Sequence, residues 1–571
     1  MASHDNAHDV RQPLLASGGA DHVSYDGSER TSSSSSPASS ITAVNSPKEV
    51  TVEFDPNGDP ENPQDWPLAF KWGIVLMLSM MGFITTFTCI SMVPLASTIV
   101  DDLSRPSSAS SFFSTLNVDT PMGITRAAAS NVLLVTIWEL GEAAGPLLIA
   151  PLSELHGRYI VMNVANTLLI LSTVMAALST SVPMFILARA LTGLSVTANV
   201  LNPAIIGDIF PAEQRGSAVS MVFLAPLVGG AIGPGIATTI AAWCGSWRAV
   251  VWVCIVVAGV CEIFFLLGFK ETYSVVILRK RVERVRKERE LFGKDVGGEE
   301  EEPCTPVKLV LDHDAEGAVI EDGLPDAKHG ALVEMKKLRD AVLRPAHVLG
   351  GSAVLMALST LGSVLFSYYY VISVTMPSVL TERYGLSTVQ TGWCFISFTF
   401  GSFVSVIFCE GSLDKIYIRL RDAHRTKTND PTAAGKPEYR LPMSTLGAFL
   451  CPVAIGVYGW TAELGGPLPI LLLSVAATGA GVILTIVPMM AYIVDAFGLY
   501  SASAITGVIV TRCLMSTFLP LATGPLIDNY GYGWGFMAFS VLSLVLAPIS
   551  IVVLRYGEAW RRWSKYTREN M

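Results

Sequence analysis

Apolar runs of about twenty residues recur along this chain, and that feature limits its folds more than any other. The hydrocarbon core of a bilayer is about 30 Å thick and takes about 20 helical residues to cross. Runs of that length are expected to start near Trp72, Ser130, Tyr159, Val182, Ser217 and Trp247, and again near His347, Thr388, Leu441, Pro467, Ser501 and Trp534. Six spans, a polar stretch from Lys270 to Arg344, and six more spans imply two helical bundles joined by a loop. The fold class expected is an all-α membrane protein with twelve transmembrane helices. The expected divisions are a tail over 1–65, a bundle over 66–270, a central loop over 271–345, a bundle over 346–556 and a tail over 557–571.

Composition agrees. Charged residues make up 15% of the chain, against about 25% in soluble domains. The net charge of −9 comes largely from soluble segments such as Glu299–Glu302. The nine cysteines form no CxxC pair and have no histidine at ligand spacing, so neither a metal site, a cofactor nor a disulfide framework is expected. The first residues lack a basic start followed by an apolar core, so no signal peptide is read there. The stretch up to about Asn62 is rich in Ser, Asp, Gly and Pro and reads as a disordered cytosolic tail.

Lysine and arginine stay on the cytosolic side of short loops. With the amino terminus inside, that side holds Arg158, Arg215, Arg279 to Arg289, Lys415 to Arg440 and Arg555 to Lys565. The other side holds little beyond Arg105, Arg126 and Arg248, so both termini are expected in the cytosol. The segment "AAGPLLIAPLSELHGRYIVM", Ala143 to Met162, then reads as a tight cytosolic hairpin between the second and third spans. Gly157 permits the turn, because glycine accepts positive φ. Glu154 and Arg158 are placed to pair with each other and with nearby helix ends.

Ionisable groups at membrane depth are costly and default to functional candidates. Glu139 and Glu142 are three residues apart, on one part of the second span. Two acids in one cavity repel, and burying both as anions is unfavourable, so one of them is a candidate proton carrier. Gly141 and Gly145 on a nearby face allow close helix approach. Arg189 in the fourth span cannot readily deprotonate, so its expected part is to bias a carboxylate such as Glu142. Arg512 in span eleven is a second buried cation, and Glu262 in span six is an acid with no evident partner. Asp208 and Arg215, with Glu154 and Arg158, are gate or latch candidates, and Asp495 is their counterpart in the second half. Gly229, Gly230, Gly233 and Pro234 make the fifth span a candidate hinge or packing surface. Asn199, Asn202, Tyr369, Tyr370 and Arg512 are candidate substrate contacts. An apolar cavity with rings, amides and one or two acids suits an amphipathic or cationic organic molecule.

Several motifs carry a family resemblance when taken in order. "PLSELHGR" resembles the loop signature of the major facilitator superfamily, in the form used by fungal drug:proton antiporters. "NPQDWPLAFKW", "LARALTGLSVTA", "FLAPLVGGAIGPGIA", "KETYSVVILRKRVERVRK", "PEYRLP", "YIVDAFGLYSASA" and "YGEAWRRWSKY" are similar to that branch at matching span ends, from Asn62 to the carboxyl terminus. The resemblance implies two pseudo-symmetric six-helix bundles that rock about a central cavity. It also implies a link between Arg189 and proton movement, and no cofactor beyond the proton gradient. The implied activity is proton antiport that exports a drug, toxin, polyamine or secondary metabolite. The implied partners are the lipid bilayer, the organic solute and protons, with no nucleic acid and a monomeric chain. The implied location is the plasma membrane, with the vacuolar membrane as the alternative. An internal echo places "SLDKIYIR", with Asp414, where "SELHGR" sits in the first half, but without its glycine. The first span lacks the acid that many proton antiporters of this superfamily carry there.

Other classes fit less well. No GxxxxGK[ST] phosphate loop is present for an ATP-driven pump. His156 and His347 lie near span ends without catalytic companions, so an enzyme is not expected. An importer or uniporter on the same fold, or a sensor that no longer transports, is the alternative reading.

Overall fold

The computed structural model describes residues 50–52, 54–55, 58–104, 126–196, 198–211, 214–295, 307–309, 339–340, 342–429 and 435–567. Arg105 and Glu299–Glu302 lie outside them, as do the side chains of Arg126 and Asn199. The first half holds α1 (Leu68–Ile90), α2 (Ala96–Ser104), α3 (Arg126–His156), α4 (Arg158–Ala177), α5 (Val182–Leu194), α6 (Ala198–Ile209), α7 (Arg215–Cys244) and α8 (Trp247–Gly268). Next comes α9 (Ser274–Asp295) and then α10 (residues 342–350). The second half holds α11 (Ala353–Glu382), α12 (Thr388–Cys394), α13 (Ile396–Thr428), α14 (Pro442–Leu464), α15 (Leu468–Phe497), α16 (Ser501–Phe518), α17 (Thr523–Leu546) and α18 (Pro548–Trp563).

Among the described residues, ten helical stretches are long and apolar enough to cross a membrane. The expected fourth span is split into α5 and α6, and neither part reaches that length alone. The last stretch, Ser501–Trp563, is 63 residues long. As one helix it would extend about 95 Å, about three hydrocarbon thicknesses. It is interrupted by a 3-10 turn at Leu519–Ala522 and by Gly531 at φ 78°. One crossing before these breaks and one after bring the pattern into line with twelve.

Local signals set the boundaries. Pro at the first turn opens α5, α14 and α15, where its missing N–H costs nothing. Ser387 and Gln390 form a reciprocal capping box at the start of α12. Gly245 in the left-handed region ends α7, and Ser246 caps α8 one residue later. Within the first half α1 packs on α7, α3 on α5 and α4 on α8. Within the second, α13 and α14 pack on α15, and α11 on α16. The halves meet where α3 packs on α16 and α7 on α12.

The tightest crossings repeat between the halves. On α3, a Cβ at Gly141 would strike the Ala190 carbonyl oxygen of α5; a Cβ at Gly193 of α5 would strike the Trp138 carbonyl oxygen of α3. On α13, a Cβ at Gly401 would strike the Ala476 oxygen of α15, and one at Gly479 would strike the Phe398 oxygen. Each glycine lies three residues after the carbonyl its partner approaches, in all four cases. Bare backbone meets bare backbone, as small residues permit in membrane helices. This repeat is sharper than the "SELHGR"/"SLDKIYIR" echo. It was readable as "ALTG" (Ala190–Gly193) against "AATG" (Ala476–Gly479).

Part of the expected tail is ordered. Asp59 and Glu61 bind Arg281 of α9 at 2.8 and 3.1 Å, and Glu61 also binds Arg284 at 2.7 Å. Acids bound to basic partners, one of them buried, gain enough to fix a polar segment that composition alone marks as unfolded. Burial pushes the Asp59 carboxyl up, but hydrogen bonds from Arg281 and the Glu61 N–H outweigh it and hold Asp59 below its ordinary range. The contribution of this contact is therefore complete above the ordinary carboxylate range and is lost only as acid protonates Asp59. Val50–Val52 pairs in parallel with Val307–Leu309, a second link between tail and loop. At the other end α18 runs to Trp563, and Arg561 is buried against Glu438 at 2.8 Å.

Candidate functional site

Glu142 lies 14 residues before His156 on α3, about 21 Å along the helix from the hairpin at 1.5 Å per residue. At that depth it meets the other half. Its Oε1 accepts from Arg512 Nη2 of α16 at 2.9 Å. One turn earlier, Glu139 Oε1 accepts from the Tyr370 hydroxyl of α11 at 2.5 Å. Further from the hairpin, the Thr136 hydroxyl donates to the Thr517 carbonyl at 3.2 Å, and the Thr517 hydroxyl donates back to Thr136 at 3.4 Å. The same end of α7 meets α12: a Cβ at Gly235 would press into the Trp393 ring, and one at Gly392 would crowd the Pro234 carbonyl. These contacts close the seam between the halves from mid-depth to the end far from the hairpin.

Among the described residues, ion pairs at the hairpin end instead stay within a half. Arg158 Nε pairs with Asp208 at 3.3 Å and its guanidinium lies 4.9 Å from the Tyr273 ring centre. Arg440 pairs with Asp495 at 2.5 Å and with Asp414 at 3.3 Å.

The two carboxylates share one setting. Both are nearly fully buried, and the ligand atoms of Glu139, Glu142 and Cys513 all lie within 4.8 Å of one another. Two anions that close repel by at least about 3 kcal/mol at an effective dielectric of about 20. Arg512 balances one charge, while the recorded partner of Glu139 Oε1 is a neutral phenol. The Arg512 guanidinium also lies 4.4 Å from the centre of the Phe366 ring. Glu139 Oε2, Arg512 Nε, Trp138 Nε1 and Ser516 Oγ are buried without a protein hydrogen-bond partner. With both acids ionised the seam would carry one excess negative charge, and it has unspent donors and acceptors, the means to take a proton or a polar group of a solute.

The candidates divide as follows. Glu139, Glu142, Tyr370 and Arg512 come together, and Tyr369 packs beside them, edge-to-face with Tyr370 and tilted against Phe398. Arg189 does not take its expected part beside Glu142. It donates to the carbonyls of Thr88 (3.0 Å) and Cys89 at the end of α1, and to Leu134 (3.4 Å). Terminal helix carbonyls lack intrahelical partners, and a buried guanidinium meets that need first. Asn202 is buried near Gly82 of α1. Gly229, Gly230 and Gly233 face α1 rather than forming a break, and α7 stays one 30-residue helix through Pro226 and Pro234. Arg215 bonds the carbonyls of Gly207 and Phe210, not an acid, closing the end of α6.

The hairpin needs a correction. Glu154 points to solvent, and the acid that organises the turn is Glu271, just beyond α8. Glu271 Oε1 accepts the N–H groups of Arg158 (2.8 Å), Thr272 (3.1 Å) and Tyr273 (3.0 Å), and Oε2 accepts that of Tyr159 (3.3 Å). Those of Arg158 and Tyr159 are first-turn donors of α4, where an anion is favoured. Gly157 sits at φ 96°, and a Cβ there would run into the Glu271 carboxylate. The signal available in sequence was an acid directly behind a span, in "KETY". Trp138, Phe366 and Cys513 were not singled out, because nothing in one sequence distinguishes a seam residue from a core one.

Gly157→Ala is expected to destabilise the chain by about 1–3 kcal/mol, through strain at positive φ and the clash with Glu271. Glu271→Ala removes the clash and the cap together. A melting-temperature cycle in detergent should therefore find the double variant less damaged than the sum of the singles. Additive losses would show that the two residues act separately.

A family model described as Major Facilitator Superfamily matches residues 76–516. The chain is 30% identical over 531 residues to "Efflux pump radE" of Floropilus chiversii, covering 92% of this chain and 88% of that protein. It is 29% identical over 521 residues to "MFS transporter cpaT" of Aspergillus oryzae, covering 91% and 93%. Among solved structures, the partially occluded inward open xylose transporter XylE from E. coli superposes with a TM-score of 0.56 at 15% identity, covering 86% of this chain and 98% of that one. The human organic anion transporter MFSD10 gives 0.53 at 16%, covering 85% and 100%.

Proposed function

Because the chain belongs to the major facilitator superfamily and is a multi-pass membrane transporter of small solutes, we propose that it exports an organic molecule in exchange for protons. The observation that carries this reading is the pairing of two buried acids in one half with Arg512 and Tyr370 in the other. The basic residues of the hairpin end support a cytosolic position for it, and on that reading the closed seam faces outward. "Efflux pump" among the relatives' names supports export. The plasma membrane and a monomer are the simplest setting.

An exchanger must not reorient while empty, or the gradient leaks away. Here the empty, unprotonated carrier is held shut on the outside by Glu142 and Arg512. A solute entering from the cytosol competes for these groups and for the unspent capacity of Glu139, Trp138 and Arg512, loosening the seam. Once the outside is open, one proton occupies a carboxylate as the solute leaves, and the seam, now neutral, returns. A ligand shifts such an equilibrium only through different affinities for the two states, and the seam is where those affinities differ. An organic molecule with apolar rings and a hydrogen-bonding or cationic group matches the wall of Phe366, Tyr369 and Phe398 beside the acids.

The test starts with compounds that become more toxic to cells lacking the protein. Purified full-length protein in vesicles carrying a pH-sensitive dye is then given each one. Addition of a transported compound is expected to move protons in the opposite direction. Solute movement that never moves protons, under any imposed gradient, rejects antiport.

A further inference from the structure

We propose that Glu262, with Asn163 and Asn166, is a second proton-binding site, inside the first half and apart from the seam. Glu262 is on α8, six residues before Gly268, about 9 Å along the helix from the hairpin end. It is 5% exposed, and neither carboxylate oxygen has a hydrogen-bond partner. A side chain that faces it is Asn166 of α4, itself 2% exposed, whose Nδ2 lies towards the carboxylate without completing a hydrogen bond. One turn nearer the hairpin, the Asn163 amide donates to the Tyr159 carbonyl at 2.7 Å. That bond fixes the amide's orientation and leaves Oδ1 as a buried acceptor without a donor. The register is set by the Tyr159 hydroxyl on the Leu266 carbonyl and by the stack of Tyr159 on Phe269. Antiparallel from there, α4 rises to Asn163 and Asn166 as α8 runs back to Glu262.

The unpaired atoms state what is missing. An ionised carboxylate offers only acceptors, so the Asn163 acceptor stays unmet and a full charge stays buried. A protonated carboxyl has one O–H to give and a carbonyl to receive with. The O–H matches Asn163 Oδ1 and the carbonyl matches the Asn166 N–H. One proton thus converts a mismatched trio into a matched one.

Among the described residues of the elements packed most closely on α8, no charged group competes for that role. The elements packed against α8 are α1, α4 and α7. Lys71 of α1 is bound to the Gln64 carbonyl, Arg158 of α4 to Asp208, and Arg215 of α7 to backbone carbonyls. Arg248 of α8 pairs with Asp102 near the far end. The nearby thiol is Cys261, beside Glu262 in the chain, and Cys254 lies two turns away on α8. The phenol on α4 is Tyr159, bonded to the Leu266 carbonyl. Cys89 of α1 is near Arg189, and Cys244 ends α7 in an exposed position.

The test is infrared titration of the full-length protein in lipid nanodiscs, which needs no substrate and no transport. Wild type is expected to show the carbonyl stretch of a protonated carboxyl that bleaches as pH rises. That band should persist in Glu139→Gln/Glu142→Gln and vanish in Glu262→Gln. Asn166→Leu and Asn163→Leu, which keep the acid, should each shift it, and they serve if Glu262→Gln does not fold. Identical spectra for wild type and Glu262→Gln at every pH, or a band untouched by both asparagine changes, would overturn the proposal. Because the band is read without transport, its failure is distinct from failure of antiport.

Discussion

Glu142→Gln is expected to abolish proton-driven transport in protein that still folds and reaches the membrane. A proton crossing 100 mV supplies about 2.3 kcal/mol, or roughly a fifty-fold solute ratio at about 1.4 kcal/mol per decade. In the variant that ratio should collapse towards one. Glutamine keeps a carbonyl oxygen for the Arg512 Nη2 hydrogen bond but cannot lose a proton or hold a charge. Breaking a buried pair costs about 3–5 kcal/mol when one charge is left bare. The retained hydrogen bond and the partial exposure of Arg512 place the stability loss at or below that range. Arg512→Met should be more damaging, because it leaves two facing carboxylates with no cation, and Glu142→Gln added to it should recover stability. The measurements are gradient-driven accumulation in vesicles and melting in detergent. Normal pH-dependent accumulation by Glu142→Gln would remove this carboxylate from the coupling mechanism.

Gly193→Ala and Gly401→Ala are expected to be the most destructive single-methyl changes among the described residues. Each added methyl meets a carbonyl oxygen of the neighbouring helix closer than van der Waals contact allows. Backbone cannot rotate aside as a side chain does, so the helices must part along their length. Overpacking costs about 1–3 kcal/mol in tolerant sites, and these should exceed it, with little folded protein recovered from membranes. Gly207→Ala and Gly259→Ala meet nothing within 4 Å and are the controls. The check is size-exclusion recovery and melting of all four. Near-normal behaviour of Gly193→Ala would mean that the α3–α5 crossing is looser than described.

Much of the architecture was legible because a membrane span is a statement about length and apolarity. Starts read near Val182, Trp247, Thr388 and Ser501 coincide with helix starts. The last span was less clear, because the break is a single positive-φ glycine, Gly531, inside an otherwise helical pattern. The acids on the second span were legible as buried charges. Their partners were not, since Glu142 and Arg512 are 370 residues apart and spacing carries no information at that distance. Arg189 looked like the natural partner because it cannot readily deprotonate and the family resemblance ties it to proton movement. The need of the α1 terminus for donors to its carbonyls could not be seen from residue types. The hairpin acid was misassigned for the same reason: Glu154 is adjacent in the chain, Glu271 adjacent in space.

The paired backbone crossings bear on how the molecule moves. A joint in which peptide touches peptide has no rotamers to exchange, so it transmits torque without yielding. Each half should then swing as a stiff arm whose fulcrum is the seam. Glu142 lies about 21 Å from the hairpin by helix geometry, so a slight loosening at the fulcrum becomes a wide sweep at the mouth on the hairpin side. On this view the gate at the mouth needs little machinery of its own, and losing one bond at the fulcrum is amplified by leverage alone.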